Sequence, residues 1–99
     1  MSEEITASHI LCSTEVASNK EALKSIKKIQ ARLAKGEAFE ELAREVSDCL
    51  SGSQGGDLGS FGRGRMVDEF DKAAFDLEVG ETSEVVETEF GYHLILRTL

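Results

Sequence analysis

The chain contains no proline, few cysteines and no long apolar run. Because none of its 99 residues is a proline, its own folding is predicted to lack the slow phase that X–Pro isomerisation causes. Its two cysteines, Cys12 and Cys49, match no disulfide framework, which favours free thiols in a reducing compartment. No stretch approaches the roughly 20 apolar residues of a membrane-spanning helix. These absences predict a cytoplasmic protein that does not cross a bilayer.

Positive charge is also scarce. Eleven lysines and arginines face 19 aspartates and glutamates, for a net charge of −8, which disfavours binding to nucleic-acid phosphates. The opening letters MSEEITASHIL are acidic where a secretory signal would be basic. A chain of this length is ordinarily one domain. We therefore expect a monomeric single domain with no nucleic-acid partner.

The first third of the chain predicts a strand followed by a helix. Residues 5–12 alternate, which places His9 on one strand face with Ile5, Ala7 and Leu11. Ser18 and Glu21 form a capping box, in which the serine accepts from a helix amide and the glutamate reaches back to the cap amide. Gly36 ends this helix. Its predicted core face consists of Ala22, Leu23, Ile26, Ile29 and Leu33.

The remainder predicts two shorter helices and a hairpin. Residues 38–46 form the second helix, and VDEFDKAAFDL forms the third, with Asp68 as its cap and Gly80 closing it. TSEVVET and YHLILRTL alternate and are joined through Gly91. The order of elements predicts an α+β fold with helices packed on an antiparallel sheet.

The polar face of the first helix concentrates the positive charge. Residues 1–35 carry a formal charge of +2, whereas residues 36–99 carry −10. This face consists of Lys20, Lys24, Lys27, Lys28 and Lys35. A charged run is usually a solvated surface; the alternative hypothesis is peripheral contact with an anionic membrane surface or an acidic partner.

Histidine and cysteine raise two chemical alternatives. Structural zinc sites draw on closely spaced ligand pairs, which neither the cysteines nor His9 and His93 form, so no metal site is predicted. A cysteine hydrolase would need a thiolate activated by histidine, and the negative charge of Asp48 disfavours the thiolate of Cys49.

Four separated segments carry a family resemblance: SHILC, FEELAREVSDC, GGDLGSFGRGRMVDEFDKAAFDLEVGE and FGYHLILRT. Together they resemble parvulin-type peptidyl-prolyl cis/trans isomerases over residues 7–99. The resemblance implies a parvulin-like (FKBP-like) four-stranded antiparallel sheet surrounded by about four helices, a short flexible tail at residues 1–5 and a domain at residues 6–99. It implies no cofactor, and proline-containing polypeptide segments as partners.

The resemblance also implies site residues and an activity, the non-covalent rotation of X–Pro bonds by a folding helper. The implied catalytic set is His9, Cys49, Thr88 and His93, and the implied proline pocket is Leu58, Phe61, Met66 and Phe70. The loop after the first strand reads STEVASN without a basic residue, so we expect no phosphoserine or phosphothreonine preference. The alternative is a chaperone-like module of the same fold that binds proline-containing segments with little or no turnover.

Glycine is concentrated in one segment, since six of the nine glycines lie within residues 52–64. Glycine permits positive φ and close backbone approach, so we predict that this segment hinges over the pocket. The predicted hinge residues are Gly55, Gly56, Gly59, Gly62 and Gly64.

Overall fold

The computed structural model describes residues 3–99 as four strands, three α-helices and one 3-10 helix. The strands are β1 (Glu4–Ser13), β2 (Asp57–Gly62), β3 (Val86–Thr88) and β4 (Gly91–Arg97). The helices are α1 (Asn19–Ala34), α2 (Phe39–Val46) and α3 (Asp68–Phe75), with the 3-10 helix at Leu50–Gln54. None of the helices in this part of the chain is both long enough and apolar enough to span a membrane.

The strands form one antiparallel sheet in the order β2-β1-β4-β3. The central strands β1 and β4 pair from Ala7 opposite Arg97 to Ser13 opposite Gly91. This confirms the predicted α+β class and the four-stranded antiparallel sheet. The domain begins earlier than expected. Glu4 and the buried Ile5 belong to β1, although residues 1–5 were expected to form a tail. Residues 1–2 of that tail lie outside the described residues.

Helices cover both faces of the sheet. On one face α1 and α2 pack against Ile10, Cys12 and Leu94, and on the other α3 packs against Ala7 and Ile95. The alternation in β1 places His9 on the α3 side, so the sheet separates the lysine face of α1 from the predicted site. Within α1, Ala22, Ile26 and Ile29 are buried, and Leu23 and Leu33 are half-buried, as the helical period predicts.

The capping of α1 follows the prediction in part. Ser18 is the N-cap, and its Oγ accepts a hydrogen bond from the Glu21 amide at 3.2 Å. The Glu21 carboxylate, however, accepts from the Ser18 hydroxyl at 3.1 Å and not from the cap amide. Gly36 follows the helix end with φ of 99°.

Three other predicted boundaries were wrong. Asp68 is the first residue of α3 and not its cap, since Val67 occupies the cap position without a side-chain bond. The helix ends at Phe75, and Gly80 lies in a later turn. The strand predicted from TSEVVET shortens to β3, with an isolated bridge from Thr82 to Leu96.

The residue pattern alone predicted three strands and missed β2, the fourth strand, which the family resemblance implied. Residues 57–62, assigned to the hinge segment, form an edge strand paired with β1. Thr6 pairs with Ser60 and Ser8 pairs with Asp57, so the residues at 58 and 59 stand opposite a single residue of β1. This is a β-bulge, a device that bends an edge strand and redirects its side chains.

Candidate active site

A cavity of about 350 Å³ lies on the α3 side of the sheet. Its walls come from both central strands, from β2, from α3 and from three connecting segments. The lining residues are His9, Cys49, Leu58, Arg65, Met66, Val67, Phe70, Phe90 and His93. The structure thus brings together residues that are separated by up to 84 positions in the sequence.

The two histidines lie side by side at this cavity, and a hydrogen bond joins them. Their Nδ1 atoms are 3.1 Å apart, and the rings are stacked with centroids 5.3 Å apart. The Thr88 hydroxyl lies 2.7 Å from His93 Nε2 and accepts a hydrogen bond from the Phe90 amide. A continuous chain of hydrogen bonds therefore runs from the β3–β4 turn through His93 to His9.

Burial keeps both histidines neutral. It lowers the pKa of His9 to about 4, and burial together with the neighbouring His9 lowers the pKa of His93 to about 4. Two neutral rings that share one Nδ1–Nδ1 bond need opposite roles, one donating and one accepting. The Thr88 hydroxyl therefore sets the pattern: if it donates to His93 Nε2, His93 carries its proton on Nδ1 and donates to His9.

The apolar wall faces this polar pair. The Phe70 ring stands edge-on to both imidazoles, with centroids 5.6 Å from His9 and 5.4 Å from His93. Met66 precedes α3 on the same wall, and Leu58 reaches it from the bulge of β2. The cavity thus combines an apolar wall with neutral ring nitrogens, a suitable setting for an apolar ring next to a polar amide.

Cys49 lines the cavity without a histidine partner. Both Nδ1 atoms of the histidines bond each other, His93 Nε2 bonds Thr88, and His9 Nε2 has no partner among the described residues. The sequence predicted that the charge of Asp48 acts on the neighbouring Cys49. In the structure the Asp48 carboxylate accepts a hydrogen bond from the Ser13 amide at 2.8 Å. Burial and then this carboxylate raise the pKa of Cys12 to about 11. The activated pair that a cysteine hydrolase needs is therefore not formed.

One predicted lining residue lies elsewhere. Phe61 is buried beneath the cavity, where its ring packs against Phe70 at 6.3 Å and Phe75 at 5.9 Å. It supports the pocket wall and does not form its surface. Thr88 is likewise buried, and its hydroxyl contacts His93.

Sequence reasoning missed three lining residues, Arg65, Val67 and Phe90. Phe90 is 48% exposed although it is a large aromatic residue. The available signal was its place in the predicted hairpin turn, directly before Gly91, where the fold gives no reason for an apolar ring. Arg65 and Val67 flank Met66 and could have been found as its neighbours.

The predicted hinge glycines occupy different settings. Gly56 has φ of 83° and packs against the backbone of His9, whose amide donates to the Gly56 carbonyl at 2.9 Å. Gly59 and Gly62 belong to β2, and Gly55 caps the 3-10 helix. Gly64 alone of the five lies in the turn that leads to Met66. Movement of this turn stays a prediction.

Comparisons with known proteins identify the family and several relatives of this chain. Residues 9–98 match the family described as Rotamase, PPIC-type PPIASE domain. Foldase protein PrsA of Geobacillus kaustophilus is 50% identical over 93 residues, which are 93% of this chain and 30% of that protein. Peptidyl-prolyl cis-trans isomerase Pin1 of Arabidopsis thaliana is 49% identical over 78 residues, 78% of this chain and 66% of the relative. The chain thus spans less than two thirds of either relative.

Solved structures show the same similarity over whole chains. The solution structure of TbPIN1 superposes with a TM-score of 0.89 at 36% identity and covers 100% of both chains. NmPin, the parvulin of Nitrosopumilus maritimus, gives a TM-score of 0.70 at 45% identity over 98% of this chain and 97% of the other. The motifs, the fold and these similarities together place the chain in the parvulin family of peptidyl-prolyl cis-trans isomerases.

Proposed function

We propose that this domain catalyses cis/trans isomerisation of X–Pro peptide bonds in flexible polypeptide segments. The observation that carries the proposal is the cavity of about 350 Å³, in which an apolar wall faces a bonded pair of neutral histidines. A proline ring matches the apolar wall of Leu58, Met66 and Phe70. The amide carbon, nitrogen and oxygen of the substrate then lie beside the polar groups.

The reaction needs no bond to be made or cut. Rotation about an X–Pro bond must disrupt amide resonance, against a barrier of about 20 kcal/mol. A site that binds the twisted amide better than either planar isomer lowers this barrier, and about 5.5 kcal/mol corresponds to a ten-thousandfold acceleration. The pocket fixes the ring while the rest of the substrate chain rotates.

The polar residues hold the shape of the site and suit the changing charge of the carbonyl. The bonded rings of His9 and His93 are neutral at pH 7 and keep the cavity floor rigid. Cys49 lies at the cavity as a soft polar group next to the carbonyl. Its role is electrostatic and not covalent, because neither histidine is bonded to it.

We propose unfolded or flexible chains as substrates and a folding-helper role in the cytoplasm for a monomer. The PrsA relatives are named foldases, which supports such a role. A phosphoserine preference is not part of the proposal, because the loop after β1 contains the exposed Glu15 and no basic residue.

Exchange NMR on Ala-Xaa-Pro-Phe peptides tests the activity. Catalytic amounts of the domain should accelerate cis/trans exchange, and Met66→Ala should reduce the acceleration about tenfold because the proline ring loses apolar contact. Val79→Ala, at a 62% exposed position in the turn after α3, is the matched control and should leave exchange unchanged. Peptide binding without accelerated exchange would contradict the proposal and support the chaperone-like alternative.

A second proposal concerns the lysine face of α1, defined by Lys20, Lys24, Lys27, Lys28 and Lys35. All five are exposed, and none joins the ion pairs found among residues 3–99. The neighbouring Arg32 differs, because Glu37 and Glu45 bind it at 2.8 and 2.9 Å. We propose that this face contacts anionic surfaces, which would leave the cavity, on the other side of the sheet, open to substrate.

Vesicle sedimentation tests this contact. The wild-type domain should sediment with anionic vesicles but not with neutral ones, and Lys24→Glu, Lys27→Glu and Lys28→Glu combined should abolish this binding. The control combines Arg44→Glu with Lys72→Glu, two charge reversals outside the lysine face. Equal binding of the triple variant and the wild type would refute the contact.

A further inference from the structure

Arg65 carries the one permanent charge at the cavity. Among the described lining residues, every other side chain is apolar, a thiol or a histidine with a pKa of about 4. Arg65 is exposed and lies next to Met66 of the apolar wall. A substrate whose proline occupies the pocket therefore passes a single guanidinium.

The turn that presents Arg65 is anchored at both sides. The Gly64 amide donates to the Asp71 carboxylate at 3.1 Å, and the Arg65 amide donates to the Gly62 carbonyl at 3.4 Å. Gly64 has φ of 86°, a conformation that favours glycine. This turn ties Arg65 to α3 and β2, the elements that also carry Phe70 and Leu58.

The two arginines of this segment differ in their partners. Arg63 forms an ion pair with Glu3 at 2.9 Å and lies 4.6 Å above the centre of the Phe75 ring, so its guanidinium already has partners within the domain. Arg65 joins none of the ion pairs formed within residues 3–99, although Asp68, Glu69 and Asp71 occupy the first turn of the adjacent α3. Its guanidinium therefore remains available to a ligand.

We propose that Arg65 is a specificity-determining residue that favours substrates with an anionic side chain next to the proline, a carboxylate above all. This inference rests on the proposed isomerase function and names its substrate class. A partly exposed ion pair of this kind changes binding by roughly threefold to fivefold and weakens as salt rises.

The net charge of −8 acts against acidic peptides at long range, so the test must separate that field from the local contact. Three peptides of equal charge serve this purpose, with glutamate directly before the proline, directly after it, or four residues away. The field of the whole protein acts on all three, whereas Arg65 reaches only an adjacent carboxylate. Wild type should isomerise one of the adjacent peptides about threefold to fivefold faster than the distant one, measured as kcat/KM.

Substitution of Arg65 completes the test. Arg65→Gln should equalise the three peptides, and Arg65→Glu should reverse the order and favour lysine next to the proline. Arg44→Glu, an exposed arginine on α2 with the same change of charge, should keep the wild-type order. Two results would overturn the inference. In one, Arg65→Glu keeps the wild-type order of kcat/KM among the three peptides; in the other, the wild-type domain isomerises all three peptides at equal rates.

A peptide with phosphoserine next to the proline distinguishes a preference for carboxylate from a preference for phosphate. A rate similar to that of the glutamate peptide supports a single guanidinium that recognises either anion, whereas a lead of more than tenfold would contradict carboxylate as the preferred group. Failure of the proposed function looks different, because no peptide of the panel would then isomerise faster than it does without protein.

Discussion

At the scale of single residues, Thr88 links the backbone to the paired histidines. Its hydroxyl accepts from the Phe90 amide, which is fixed in the β3–β4 turn, and bonds His93 Nε2 at 2.7 Å. Because His93 then bonds His9, the tautomer of both rings follows from the direction of the Thr88 hydroxyl. Thr88 does not line the cavity, and we therefore interpret it as a residue that positions His93.

Thr88→Val should therefore disturb both histidines. The change keeps the shape of the side chain but leaves the buried His93 Nε2 without a partner, so we expect a loss of about 1 to 3 kcal/mol in the free energy of unfolding. Urea denaturation measures this loss, and ¹⁵N NMR should show altered tautomer populations on both rings. Thr82→Val, at an exposed position, should change stability by less than about 0.5 kcal/mol. Unchanged ¹⁵N shifts in Thr88→Val would contradict the role of the hydroxyl.

Single-residue roles were only partly predictable from sequence. His9 and His93 were assigned because their segments, SHILC and FGYHLILRT, resemble parvulin motifs, and alternation added only the strand face of His9. Phe61 and Phe90 could not be told apart in the same way, since both are aromatic residues beside glycine. Their difference arises from tertiary packing, which buries Phe61 against Phe75 and leaves Phe90 at the cavity.

At the scale of elements, Gly56, directly before β2, and Gly59, within β2, differ in how closely they approach β1. A Cβ at Gly56 would overlap the carbonyl oxygen of His9, whereas a Cβ at Gly59 would meet nothing within 4 Å. Both residues have positive φ, of 83° and 72°. Substitutions at Gly56 and Gly59 therefore distinguish two effects. Both positions have positive φ, but only Gly56 approaches β1 closely.

Gly59→Ala should cost about 1 to 2 kcal/mol in stability from the unfavourable φ alone. Gly56→Ala should cost about 1 to 3 kcal/mol more, because the overlap with His9 can be relieved only by moving β1 or β2. Thermal or urea unfolding measures both losses, and the His9 ring resonances should shift only in Gly56→Ala. Equal losses for the two variants would show that close packing at Gly56 is unimportant.

The helices were more predictable than β2 for a physical reason. The apolar period of α1 and its Ser18 cap are local signals, and the structure follows both. Residues 57–62 contain two glycines, which are depleted in strands, so local propensity argues against a strand there. The strand forms because its backbone pairs with β1, a contact that single-sequence patterns do not contain.

At the scale of the whole molecule, the histidine pair couples stability to pH. Burial lowers both pKa values from 6.5 to about 4, so the unfolded chain binds more protons between these values. The contribution of the two neutral histidines to the free energy of unfolding is therefore complete above about pH 6.5 and is lost as the pH falls towards 4.

Between pH 7 and pH 5 we expect the pair to account for a loss on the order of 3 kcal/mol, measured by urea denaturation at each pH. A His9→Gln variant should show a shallower dependence, because one of the two shifted groups is gone. The carboxylates are common to both proteins, so the difference between the two curves isolates the histidine. Parallel curves for variant and wild type would contradict the assignment.

The adjacency of β1 and β4 has a mechanical consequence. The backbone groups of Thr6 and Leu99 form hydrogen bonds of 3.2 Å with each other, so the start of β1 and the end of β4 lie at the same end of the sheet. Tension applied through residues 4 and 99 peels this ladder one pair at a time, in an unzipping mode, and does not shear all pairs together. Because β1 holds His9 and β4 holds His93, we expect such tension to separate the two histidines. We therefore expect tension on both ends of this domain to disrupt the histidine pair.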